Sequence, residues 1–142
     1  MIQQVYNRLK LMIASGSIDS HDKGKASVGI LHDEIASNVK MVTPYGFTHH
    51  PLPGSSAYMV FPDGDRSFGI ALIVNDERHQ FDVGVGEVAV YNSVGAHIHL
   101  KSDGSIIIYS EKAISVDAPQ IDIVGNVSVD GNVIATGIVK GG

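Results

Sequence analysis

The chain has 142 residues, 44% of them hydrophobic and 18% charged, with a formal charge of −5, which fits a folded domain rather than a disordered one. The acidic balance argues against a general nucleic-acid binder, which would carry a basic face. The absence of cysteine rules out disulfides and thiolate metal sites, and no apolar run approaches the ~18 residues a membrane-spanning helix needs.

The first residues, MIQQVYNRLKLMIASG, are broken by Gln, Asn, Arg and Lys, so no cleaved signal peptide is expected and synthesis in the cytoplasm follows. Within 2–13, Ile2, Tyr6, Leu9 and Ile13 share one helical face and predict a turn or two of helix, marginal by itself at this length. From about residue 11 to 80 the chain alternates between apolar segments and turn signals. LMIASGSI, KASVGIL, SNVKMVT, SSAYMVF and SFGIALIV read as strands, and SHDKGK, PYGFTHHPLPG and PDGDRS separate them. Five strands of this length suit a small closed barrel of the OB type, a collar domain over 1–82.

After Asn75-Asp76-Glu77-Arg78 the composition changes. GVGEVAVYNSVGAHIHLKSDGSIIIYS gives three short strands, punctuated at Gly95 and Asp103-Gly104. Then AISV, QIDI, NVSV and NVIA each carry two apolar residues in alternation, and the pairs Ile121/Ile123, Val127/Val129 and Val133/Ala135 recur every six residues. Such strands have one apolar and one polar face. A single narrow ribbon has nothing to pack its apolar face against. Three copies wound together would bury it, so 83–142 reads as one third of a trimeric β-prism or triple β-helix. Its interior would be lined by Ile98, Leu100, Ile106, Ile108, Ile114, Val116, Ile121, Ile123, Val127, Val129 and Val133. Single-chain β-helices share the six-residue period but usually have more turns and a cap. About seven layers at ~4.8 Å make a stiff shaft on the order of 30 Å long. The fold class is therefore all-β: a barrel followed by an intertwined trimeric shaft.

The blocks MVTPYGFTHHPLPGSSAYMVFPDGDRSFGIALIVNDERHQ and GEVAVYNSVGAHIHLKSDGSIII resemble the Mu-type phage central spike, the baseplate assembly protein V family. Pro44-Tyr45-Gly46, Pro51-Leu52-Pro53-Gly54, Pro62-Asp63-Gly64-Asp65-Arg66 and the paired strands around His97-Ile98-His99 carry the likeness, in order, over roughly residues 5–110. The resemblance implies a homotrimer with an OB-fold collar and a β-helical spike. It implies a place in the virion, below the hub and tail-tube proteins at the centre of a contractile-tail baseplate. It further implies a non-enzymatic role, in which sheath contraction drives the spike through the host outer membrane.

His97-Ile98-His99 is the leading candidate site. On a strand, i and i+2 face the same way, so three chains would aim six imidazoles at one ion. The resemblance implies iron on the trimer axis at a His-x-His near the apex. In this chain the motif falls at the base of the shaft instead. Ile98 and Leu100 also continue Val88/Val90 as the inward pair, which turns both histidines outward. Structural or solvated histidines are the reading of the residues, and an axial iron at His97 and His99 is the alternative. With no histidine beyond His99, a separate small tip protein is expected to cap the end.

The remaining motifs read as scaffold. His49-His50 lies in a Pro-rich loop, with the two rings expected on opposite sides. Pro62-Asp63-Gly64-Asp65-Arg66 lacks the ligand series of an EF-hand and predicts a turn with an Arg–Asp contact. Gly84-x-Gly86 is no dinucleotide fingerprint, since no third glycine or helix follows, and it marks the bend from collar to shaft. No nucleophile elbow supports a catalytic triad. The competing function is an OB-fold module for single-stranded nucleic acid or oligosaccharide. That would want basic residues interleaved with exposed aromatics, against the 6% aromatic content here. A cell-wall hydrolase would need a further domain to hold an acid and a partner carboxylate.

Overall fold

Alternation of apolar and polar residues decides the first half of the chain. The structure, a computed structural model, describes residues 1–30 and 34–140. Helix α1 (Ile2–Leu11) leads into strands β1 (Ile13–Asp22), β2 (Lys25–Gly29), β3 (Ile35–Met41), β4 (Ser56–Val60) and β5 (Ile70–Asn75). Each of the five predicted strands is present. Leu31, at the end of the second, lies outside the described residues, as do Gly141 and Gly142. Ile13, expected on the helical face, instead opens β1.

These strands close into a barrel in the order β1-β2-β3-β5-β4. All pairings are antiparallel except β3 with β5, where Lys40 faces Ile70 and Met41 faces Ala71. The β1–β2 hairpin turns through Lys23 (φ 47°) and Gly24 (φ 79°), the pair of left-handed residues whose twist matches flanking strands. Ile18, Ala26, Val28, Ala36, Val39, Ala57, Met59, Phe61 and Ala71 fill the interior. So many alanines imply a narrow barrel, and Gly16 shows how narrow: a Cβ there would stand 2.4 Å from the Gly29 carbonyl oxygen.

Beyond the barrel, β6 (Val88–Tyr91), β7 (His97–Leu100) and β8 (Ile106–Tyr109) form an antiparallel three-stranded sheet. Barrel and sheet belong to one compact unit, Met1–Glu111, and a second unit begins at Lys112. Among the described residues of that second unit no strand forms, and every residue is exposed. Ile114, Val116, Ile121, Ile123, Val127, Val129 and Val133 are all open to solvent. The alternating pattern is there, but one chain supplies no neighbouring strand for its N–H and C=O groups. Gly125 and Gly131 take φ of 136° and 144°, a backbone that only glycine adopts readily. Among the described residues the architecture is thus mostly β-sheet with a single α-helix.

Candidate functional site

Strand register sorts the β6–β8 sheet into two chemically different faces. Val88 pairs with Leu100 and Leu100 with Ile106, while Val90 pairs with Ile98 and Ile98 with Ile108. Because side chains directly opposite share a face, these six form one continuous apolar surface. Each remains 44–63% exposed within a single chain. The turns that hold them are polar. The Asn92 Oδ1 accepts from the amides of Val94 and Ala96, both at 3.1 Å. Asp103 Oδ1 accepts from the Ser105 amide at 2.9 Å and its hydroxyl at 2.6 Å, which holds the Asp103 carboxyl below its usual range, the Ser105 hydroxyl contributing most.

The other face carries the histidines. His97 lies between Tyr91 and Tyr109 in register, and His99 between Ala89 and Ile107. His97 stacks on Tyr109 at 5.2 Å, with its Nδ1 2.8 Å from the Gly95 carbonyl oxygen. His99 is buried and its Nε2 stands 2.8 Å from Glu87 Oε2. Glu87 is saturated, for it also accepts from the Gly84 amide at 2.9 Å and the Ser102 amide at 3.2 Å. Those two amides, and then His99, hold its carboxyl down to about 2.

The barrel's polar features are structural in the same way. Asp76 receives Arg78 Nε at 2.8 Å, Arg78 Nη2 at 2.7 Å and the Ser55 hydroxyl at 3.1 Å. Arg78 above all holds the Asp76 carboxyl far below the usual carboxylate range. Since Arg78 also donates to the Pro53 carbonyl at 3.0 Å, the group ties the 51–55 loop to the end of β5. In the 62–66 turn the expected Arg–Asp contact does not form. Asp65 instead accepts from the Ser67 amide and hydroxyl at 2.9 and 2.7 Å, while Arg66 lies 4.5 Å over the Phe61 ring and 3.8 Å from Glu34.

With this geometry in hand, comparison with known proteins gives a consistent answer. The family described as Bacteriophage Mu Gp45, N-terminal, matches residues 19–78. The "baseplate puncturing device gp45" of Escherichia phage Mu is 28% identical over 141 residues, covering 91% of this chain and 72% of its own. Both matches support a Mu-type baseplate spike family.

The matched stretch of the spike family runs through the barrel, from within β1 to Arg78. The relative's description as a puncturing device agrees with a structural rather than catalytic chain. Of the residues singled out in the sequence, Ile98, Leu100, Ile106 and Ile108 come together on one face, and His97 and His99 on the other. His49 and His50 border a cleft of about 470 Å³ with Asp76, His79 and Tyr91. The His50 ring meets His21 edge-on at 4.3 Å, a neighbour that sequence reading missed because only barrel closure joins them. Burial, then His50 and His49, push the His21 imidazole down. Among the described residues no group of three or more His, Asp or Glu is placed to hold a metal ion, and no helix is long and apolar enough to cross a membrane.

Proposed function

We propose that this chain is the subunit of a homotrimeric central spike at the centre of a contractile-tail baseplate. Residues 1–82 form an OB-type collar under the hub and tail-tube proteins, and 83–142 form an intertwined β-helical shaft driven through the host outer membrane on sheath contraction. The observation that carries this reading is the six-residue apolar face of Val88, Val90, Ile98, Leu100, Ile106 and Ile108, left about half exposed by the chain's own fold. Contiguous apolar surface of this kind marks an interface. It continues in sequence into residues 114–133, whose alternating pattern needs strands from other chains. A narrow, acidic, interlocked shaft has the stiffness and solubility that a piercing element requires. Light scattering on the purified chain tests the proposal. A mass of three times 15.1 kDa is expected, and a folded monomer at micromolar concentration would sink it.

A further inference from the structure

The connector between β5 and β6 sends two side chains onto the histidine face of the sheet. The Phe81 ring lies 4.5 Å from His97, 5.3 Å from His99 and 5.7 Å from Tyr91. Glu87 receives His99 Nε2 at 2.8 Å, and the Ser102 amide and hydroxyl at 3.2 and 3.3 Å. One carboxylate and one ring thus join the connector, β7 and the β7–β8 turn. Gly84 completes the closure, since its amide reaches the same carboxylate at 2.9 Å and a Cβ there would crowd Glu87 at 3.2 Å.

The spike family's resemblance implies iron at a His-x-His, and this pair does not fit that role. Hydrogen bonding alone does not decide the matter, because metal-bound imidazoles also donate their second N–H to a carboxylate or carbonyl. The faces decide it. The apolar rows that would surround a trimer axis lie on the opposite side of the sheet from both imidazoles, and Phe81 covers the histidine side.

We propose that His97-x-His99 is a metal-free latch that clamps the connector 81–87 onto the β6–β8 sheet. His99 and Ser102 grip Glu87, while His97 packs between Phe81 and Tyr109. A spike loaded along its length needs such a joint, since a loose connector would let the barrel swing on the sheet. The latch is made inside one chain, and the trimer reading enters only in saying where an axis would run. A monomeric mass would therefore sink the trimer and leave the latch to its own test.

That test is amide exchange by mass spectrometry on the full chain, alongside elemental analysis. Glu87→Ala is expected to speed exchange at Gly84 and Ser102 by roughly tenfold or more, because both amides lose a charged acceptor. Ile18, inside the barrel, should be unaffected. His99→Ala should act at the same two amides, and the double variant should add little beyond Glu87→Ala. If Glu87→Ala does not fold, Glu87→Gln replaces it, with intermediate protection expected. Unchanged exchange at Gly84 and Ser102 overturns the latch. Stoichiometric iron or zinc that disappears in His97→Ala/His99→Ala overturns the metal-free reading.

Discussion

Replacing Ile98 with alanine weighs the apolar sheet face directly. Ile98 sits at the centre of the face, paired with Val90 on one side and Ile108 on the other, and it is still 44% exposed in one chain. Burying a whole isoleucine side chain stabilises by about 1.5–3 kcal/mol, so the exposed remainder has about 1 kcal/mol left to contribute on assembly. In the proposed trimer three chains change together, giving about 3 kcal/mol per trimer before any cavity left behind adds to it. At 1.4 kcal/mol per factor of ten, that is roughly a hundredfold in the association constant. Trimer formation depends on the square of the free concentration, so the half-assembly concentration should rise about tenfold. Sedimentation equilibrium over a dilution series in mild urea reads this shift. Val94→Ala serves as the control, since Val94 lies in the β6–β7 turn and is 76% exposed. If the two variants shift assembly equally, or neither does, the face is not the interface and the reasoning fails.

Three further outcomes follow from the same geometry. If the proposed shaft forms, Val127→Asp should abolish or strongly destabilise it, because three like charges cannot be desolvated around one axis without several kcal/mol of cost; unchanged thermal melting would mean the other face of that segment points inward. Gly16→Ala should lower barrel stability by about 1–3 kcal/mol, read as a drop in melting temperature, since its Cβ meets the Gly29 carbonyl oxygen at 2.4 Å. Asp76 has a carboxyl pKa lowered by Arg78 and Ser55, so its contribution is fully present above the ordinary aspartate pKa near ~4 and is lost as pH falls below it. Acid titration of stability should therefore be flatter below pH ~4 in Asp76→Asn than in the parent, and identical slopes would remove Asp76 from the account.

Much of the barrel was legible because local signals and tertiary demands agreed there. The Lys23-Gly24 turn, the alternation in SSAYMVF and the Pro/Gly loops each point to the same strands that closure then uses. The sidedness of β7 was legible too, since a period of two puts Ile98 and Leu100 with Val88 and Val90 whatever covers them. What covers the histidines was not legible. Parity says which face a side chain takes, but nothing in the sequence links Glu87 to His99, Gly84 and Ser102, or Phe81 to both imidazoles. His21 against His50 escaped for the same reason, and so did Arg66, drawn away from its neighbour Asp65 toward Phe61 and Glu34. The strands expected beyond Lys112 are a different case. Their alternation is plain in the sequence, yet the ladder partners they require are not supplied by the same chain.

The six-residue repeat carries an ambiguity of alignment. In a bundle of such repeats, sliding one chain by six residues sets Val127 where Ile121 was, and Gly131 where Gly125 was, and the contacts barely change. Repeats of this kind measure distance modulo one unit and have no sense of absolute position. The β6–β8 sheet does not repeat: HIHL and IIIY occur once each, HIHL between the turns closed by Asn92 and Asp103 and IIIY after the second of them. In the proposed trimeric shaft it would supply the zero mark from which every later layer is counted, as the first engaged tooth of a zip sets all the teeth that follow.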